Sequence, residues 1–467
     1  MRKTAIYGFM FSGIGFLLLQ ACFVAREYER PDLDGLDHLY RTDELPVDSV
    51  SIASVSWREI FTDPFLSGYI EEGLRDNLDI RIALQRLVAA EAYMKQGKAG
   101  YYPSLQGRAS MTHQELARNS QFGSFFNGAI EQFEFSGSFS WEADVWGKIR
   151  SNRRATLASY LQQVAAHKAV KTELIAEIAT NYYQLLALDE QYEVTSKTIE
   201  NRTLSLQTMK ALKEAGNVTQ VAVDGAAAQL YNSQALLIDL EKQIFRTENF
   251  LSFLLGRPGE QVKRGRLSAQ KDNTGLTLGV PALLLRNRPD VMAAEYGLVN
   301  SFELTNVARS YFYPSFVITG TGGFQSLQFD KLFDSGSLFA TLVGSLTGPI
   351  FNKRQVRTNY EVAEAQQRES LLNFEKTVLL AGQEVSNALY DYKAEKRKYL
   401  FRQEEVSALR RAEKNSDALL KSGFGTYLDL LTARQAALNA ELNAIDNKLQ
   451  QMNAMVDLYR ALGGGWQ

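Results

Sequence analysis

The chain has 467 residues, with 51 Lys and Arg against 53 Asp and Glu and a formal net charge of −2. That length allows more than one domain or one elongated body, and the near-neutral balance leaves no electrostatic footprint for nucleic acid. His38, His113 and His167 are far apart, no cysteine stands near them at metal-ligand spacing, and no nucleophile constellation or phosphate loop stands out, so neither a metal centre nor an enzyme is expected.

At the N-terminus, Arg2 and Lys3 precede an apolar run from Ala5 to Leu19, followed by "LLLQAC". A basic start, a short apolar core and a small residue before the cut make a secretory signal peptide, here 1–21. The one cysteine, Cys22, stands at the expected cut. The ending resembles a bacterial lipobox, with Leu19, Ala21 and Cys22 in place and the less usual Gln20 between them. That resemblance makes Cys22 the first mature residue, carrying a diacylglyceryl group and an N-acyl chain; no other cofactor is expected. A single thiol cannot form an internal disulfide, so stability must come from packing. Phe23, and not Asp, follows the cysteine, which favours the outer membrane over the inner.

After a mature N-terminal segment at 22–75, a helix opens near Asn77 and leads into strands at about 104–113 and 133–144. The second strand reads "FEFSGSFSWEADVWGKIR" from Phe133. Phe133, Phe135, Gly137, Phe139 and Trp141 alternate with Glu134, Ser136, Ser138, Ser140 and Glu142, aromatic on one face and polar on the other. From Gly147 to Gly216 the chain has neither Gly nor Pro between. A helix of nearly 70 residues, at about 1.5 Å per residue, is roughly 100 Å long, beyond any ordinary globular helix. Leu174, Ile178, Asn181, Leu185, Leu188, Tyr192, Thr195 and Ile199 recur within it at the heptad spacing of coiled coils.

The second half repeats the first. "NLDIRIA" at Asn77 is echoed by "RPDVMAA" at Arg288, "GYYPSL" by "YFYPSF", "DVWGK" by "PIFNK", and "AGNVTQVAV" by "SGFGTYLDL", always about 207 to 211 residues on. The domain reading is therefore a first repeat at 76–257, an inter-repeat segment at 258–286, a second repeat at 287–462 and a tail at 463–467. Each repeat runs helix, strand, strand, long helix, shorter helix. The second strand pair falls at about 315–325 and 338–348, and a clean heptad closes the chain from Leu428 and Leu431 through Gln435, Leu438 and Leu442 to Tyr459.

Each strand has the length that crosses a bilayer when tilted. Phe122, Phe125, Phe126, Phe329 and Phe333 in the connecting loops suit a membrane interface. An open sheet leaves edge groups unpaired in hydrocarbon, so four strands per chain must be completed by other copies. Two copies give a barrel filled by side chains, and three give an open lumen. Two ordinary hairpins in a soluble α+β protein remain the alternative.

The blocks "WREIFTDPFL", "NLDIRIALQRL", "WEADVWGKIR", "LLGRP", "RNRPDVMAAE" and "YFYPS" resemble, in order, those of the outer-membrane factor family, the TolC-like ducts, and its lipoprotein branch (OprM-like or NodT-like). The resemblance covers nearly the whole chain. It implies a mainly α fold with transmembrane β, a homotrimer with a twelve-stranded outer-membrane barrel continuous with a long periplasmic helical barrel, and an equatorial region including 258–286. It implies partners as well: a periplasmic adaptor and an inner-membrane pump, of the RND type. The hairpin tips map onto Gly216, Asn217 and Thr219 and onto Gly423, Phe424, Gly425 and Thr426, the expected adaptor-docking residues. Gly216, Gly423 and Gly425 suit tight turns through positive φ. Leu428 matches an apolar periplasmic gate position; the acidic ring of relatives falls on Thr432, with Asp429 close by. The function implied is passive export of drugs or other small molecules across the outer membrane. The alternatives are a type I protein secretion duct and a structural coiled-coil envelope lipoprotein.

Overall fold

The computed structural model describes residues 24–32, 56–121, 123–124, 129–270 and 287–466. Cys22, Phe122, Phe125, Phe126 and 271–286 of the inter-repeat segment lie outside the described residues. The first repeat supplies α1 (Trp57–Ile60), α2 (Pro64–Asp76), α3 (Leu78–Ala99), β1 (Ser104–Glu115), β2 (Ala129–Ala143), α4 (Lys148–Glu214) and α5 (Gln220–Leu254). The second supplies α6 (Pro289–Ser310), β3 (Ser315–Ser326), β4 (Leu338–Thr347), α7 (Gln355–Lys421) and α8 (Tyr427–Ala461). Paired elements match in length: α3 and α6 have 22 residues each, α4 and α7 have 67, and α5 and α8 have 35. The duplication read from short echoes is thus carried through the whole architecture. Among the described residues no helix is long and apolar enough to cross a membrane.

The repeats are not two separate bodies. One compact unit takes the N-terminal stretch through Asp32, Leu87–Gln163 and Ala294–Phe374; the other takes Leu33–Arg86, Val164–Ala293 and Glu375–Gln467. Of the segment read from sequence as 22–75, the described residues 24–32 fall in the first unit and 56–75 in the second. The physical reason lies in the helices. A 67-residue helix cannot pack its whole length in one globule, so each long helix contributes one end to each unit.

The first unit holds one antiparallel sheet in the order β1-β2-β3-β4. At its base Trp146 stacks on Tyr313, centroids 4.9 Å apart, and donates its indole N–H to the Pro314 carbonyl at 2.7 Å. The "DVWGK" block therefore ties the end of β2 to the start of β3. The Asp144 carboxylate accepts the N–H groups of Ile149 and Arg150 at 2.8 and 2.9 Å, capping the start of α4.

The second unit is a helical body with its densest core around the middle of α4. Asp63 caps α2, accepting from the Phe65 and Leu66 N–H groups, with Pro64 in the first turn. Leu66 and Ile70 of α2 and Phe61 ahead of it are fully buried, as are Ile178, Tyr182 and Leu185 of α4. The Phe61 ring meets Tyr459 of α8 edge-on at 5.9 Å. Here burial exceeds the heptad seam: Ile175, Ala179, Tyr183 and Leu186 are buried as well. The reason is that α2 and the 262–267 stretch cover faces of α4 that a two-helix seam leaves open. The inter-repeat stretch is pinned by Arg264, which pairs with Asp189 and Glu248 at 2.5 Å each, and by the Tyr182 hydroxyl, which accepts the Gly265 N–H at 3.1 Å.

Candidate functional site

The sheet has two chemically distinct faces. Directly paired residues share a face, so register alone assigns them. Met111, Phe133 and Ser326 align; Ala109, Phe135, Phe324 and Leu338 align; Leu105, Phe139, Gly320 and Leu342 align; Trp141, Ile318 and Gly344 align. This is the apolar face, and it is bare: Leu105 is 78%, Leu342 73% and Phe135 53% exposed. The loop ring Phe333 folds back onto it, 6.1 Å from Phe135 and 5.6 Å from Phe324, and Phe329 meets Phe133 at 5.4 Å. The opposite face aligns Arg108, Ser136, Gly323 and Phe339, then Gln106, Ser138, Thr321 and Thr341, then Ser104, Ser140, Thr319 and Val343, rows that are polar except at Phe339 and Val343 of β4. Among the described residues the outer edges of β1 and β4 have no partner strand. An apolar face of this extent in water is unfavourable, and so are two open edges in lipid.

In the second unit the two hairpin tips are built alike. The Gly216 N–H donates to the Lys213 carbonyl and the Asn217 N–H to Leu212, while the Gly423 N–H donates to Leu420 and the Phe424 N–H to Leu419. Both are Schellman closures, which need a left-handed residue; Gly216 has φ 76° and Gly423 φ 79°. Gly425 departs from expectation, since it is not among the positive-φ residues. Its requirement is steric: a Cβ there would lie 3.0 Å from Leu419 Cβ and 3.2 Å from the Leu420 nitrogen. Thr219 begins α5 without a side-chain cap, whereas Thr426 begins α8 with a full capping box. Asn217 and Thr219 are exposed, and Phe424 is 87% exposed.

The residues expected at the gate fall in different environments. Leu428 is 67% exposed and Thr432 is exposed, while Leu430 between them is buried. The heptad is buried at Leu438, Ile445, Leu449, Met452, Val456 and Tyr459 and half-buried at Leu442, and it opens toward the tip. Asp429 is committed locally. Its carboxylate accepts the Thr426 N–H at 3.0 Å and the Thr426 hydroxyl at 2.6 Å, and these bonds hold its pKa below the usual carboxylate value.

Sequence reasoning missed what joins the two tips. Arg202 of α4 is buried, donating to the Gln229 carbonyl at 2.6 Å, to Ser233 Oγ at 2.5 Å and to Gln435 Oε1 of α8 at 2.8 Å. Arg434 reaches Ser205 Oγ at 3.2 Å and Asp417 at 3.3 Å. Below them, Tyr427 packs on the cluster of Met209, Val223 and Ala226. The available signal was Gln435, a polar residue at an apolar heptad position, which commonly marks a specific buried partner. Among the described residues no group of acids, histidines and cysteines could hold a metal.

This geometry, a membrane-type sheet and paired coiled-coil hairpins in one duplicated chain, defines a subunit of an outer-membrane channel. A model of the family described as outer membrane efflux protein matches residues 69–257 and 280–464, and the chain belongs to that family. It is similar to the solvent efflux pump outer membrane protein SrpC of Pseudomonas putida, 28% identical over 421 residues, 90% of this chain and 89% of that one. The probable outer membrane lipoprotein SilC of Salmonella typhimurium is 25% identical over 457 residues, 97% of both chains. Among solved structures, the outer-membrane channel OprN superposes with a TM-score of 0.86 at 26% identity, over 95% of this chain and 99% of that one. The fold class is the expected one, mainly α with transmembrane β in a tandem-duplicated chain built for a trimeric channel. The protein is an efflux channel of the outer membrane.

Proposed function

We propose that three copies of this chain close their sheets into one twelve-stranded barrel, β1 of each pairing with β4 of the next. The apolar face then meets lipid, and the face carrying Arg108, Ser138 and Thr321 lines water. The observation that carries this reading is the pair of unpartnered edges on a sheet whose apolar face is bare. Four strands are too few for a closed membrane barrel, and lipid tolerates no open edge. The duct passively conducts drugs or other small molecules, and energy comes from an inner-membrane pump of the RND type. A periplasmic adaptor links the two by docking at Gly216, Asn217, Thr219, Gly423, Phe424, Gly425 and Thr426. Leu428 forms the periplasmic gate beside Asp429 and Thr432, and Cys22 carries the diacylglyceryl and N-acyl anchor. The similarity to SrpC, a solvent efflux pump outer membrane protein, supports small apolar cargo.

Purified protein in planar bilayers tests the proposal. The expected result is a detergent-stable trimer that conducts ions. A non-conducting monomer or elongated dimer overturns it.

A further inference from the structure

A buried cation normally has an anion beside it, because an unpaired charge loses its hydration and gains nothing in return. Arg202 of α4 departs from that rule. It is 7% exposed, and the groups that accept its hydrogen bonds, the Gln229 carbonyl, Ser233 Oγ and Gln435 Oε1, are all neutral. Those bonds leave the Nε–H and one Nη2–H of the guanidinium over. Burial pulls its pKa below the ordinary value, Tyr427 opposes the fall and Arg434 adds to it, and among the described residues no carboxylate acts on it.

Arg202 borders a cavity of about 230 Å³ between α4, α7 and α8, with Lys197, Arg410, Glu413, Arg434 and Glu441 also in its wall. Lys197 and Arg410 are exposed and stand at its mouth. Every cation there except Arg202 is matched. Lys197 pairs with Glu193 at 2.8 Å, Arg410 with Glu413 at 2.8 Å and with Glu441, and Arg434 with Asp417 at 3.3 Å. The charge in excess is that of Arg202. Two further atoms of the wall are buried with no hydrogen-bond partner: Arg434 Nε, a donor, and Glu441 Oε2, an acceptor. Glu413 stands 3.7 Å from Arg434 Nε, too far for a hydrogen bond.

We infer that this cavity is a binding site for hydrogen phosphate, held by Arg202 and Arg434 and selected through its proton by Glu441. The unmatched charge calls for an anion. The free N–H groups of two guanidiniums suit an oxyanion, whose oxygens accept several charge-assisted bonds at once. Glu441 decides which oxyanion. Its Oε2 needs a donor, and a carboxylate repels an anion that offers only lone pairs. Phosphate keeps an O–H at neutral pH and donates it to Glu441, whereas sulfate is fully deprotonated and has none to give. Chloride balances Arg202 but leaves Glu441 unpaired. The bound ion meets α4 through Arg202 and α8 through Arg434 and Glu441, so it adds a second link beside the direct Arg202–Gln435 bond. The site needs only the folded hairpins and does not rest on the conducting trimer.

The experiment uses full-length protein purified from membranes, titrated calorimetrically with inorganic phosphate, sulfate and chloride at equal ionic strength. Wild type is expected to bind phosphate saturably, and sulfate about tenfold or more weakly. Arg202→Gln should abolish phosphate binding. Arg434→Lys keeps the charge, removes the Nε–H and should weaken binding about tenfold. Glu441→Gln offers an amide donor to sulfate, so the two anions should then bind alike. Lys242→Ala, which breaks an exposed pair with Asp239 on α5, should change nothing. No saturable phosphate binding by wild type overturns the site, and so does undiminished binding in both arginine variants. Equal binding of sulfate and phosphate by wild type overturns the part assigned to Glu441. If helical circular dichroism shows that Arg202→Gln does not fold, Arg434→Lys and Glu441→Gln decide the question. Planar-bilayer conductance is a separate readout, so failure of the anion site and failure of the channel reading are told apart.

Discussion

Asn77 donates its side-chain amide to the Leu254 carbonyl at 2.8 Å, closing the last turn of α5. The same side chain accepts the Asp79 and Ile80 N–H groups at 2.8 and 3.1 Å, so it caps the start of α3 as well. In the second repeat Arg288 takes this place, donating to the Ala461 carbonyl of α8 at 2.9 Å. The duplication preserves the junction and changes the residue that makes it.

Asn77 is 2% exposed, so its removal leaves buried groups unpaired. Asn77→Ala is expected to lower stability by about 1 to 3 kcal/mol per chain. Asn77→Asp keeps the helix cap and loses the amide donor, and should fall between the two. Denaturant titration followed by helical circular dichroism measures both. A wild-type midpoint for Asn77→Ala refutes the double cap.

Phe135 lies on the apolar face and Ser138 on the other. Phe135→Arg places a charge toward lipid, at about 2 to 4 kcal/mol per chain near the midplane. Ser138→Arg joins Arg108 on the polar face and should be tolerated. The yield of heat-resistant trimer on gels distinguishes them; equal loss at both positions means the faces are wrongly assigned.

Asp429 ties pH to the tip of α8. Its pKa lies below its ordinary 3.8, chiefly through the hydrogen bond from Thr426. A depressed folded-state pKa contributes stability that is complete above the unfolded value and is lost as pH falls through the folded one. Below about pH 4 the capping box should therefore weaken and the tip should fray, whereas neutral and alkaline pH should leave it intact. Hydrogen exchange of the 427–431 amides reads this directly. Asp429→Asn should show faster exchange already at neutral pH, and pH-independent protection in wild type would contradict the assignment.

Leu428 exposes most of its side chain within one chain, although it begins the heptad. Apolar side chains meeting at a three-fold axis exclude water, which closes a pore by dewetting. Leu428→Ser should raise basal conductance with the trimer intact, whereas Leu449→Ala, deep in the buried seam, should instead cost about 2 to 5 kcal/mol of stability. Planar-bilayer recording separates them. Wild-type conductance in an intact Leu428→Ser trimer moves the gate elsewhere.

Much of this molecule is written in local pattern. The alternation from Phe133 to Trp141 names a two-faced strand because side chains in a strand alternate at period two. The unbroken stretch between Gly147 and Gly216 names a long helix because nothing in it interrupts the backbone ladder. The echoes at Asn77 and Arg288 name the duplication. Tertiary structure decided what depends on partners distant in sequence. Tyr182 is buried because α2 and the stretch beyond Val262 cover a face the heptad leaves open. Arg202 meets Gln435 only when two hairpins lie side by side. Asn306 clasps Arg26 across 280 residues, with no periodicity to announce it. Periodicity reports which face of an element avoids water; it cannot report which polar groups meet there, because a hydrogen bond is fixed by positions that only the folded chain brings together.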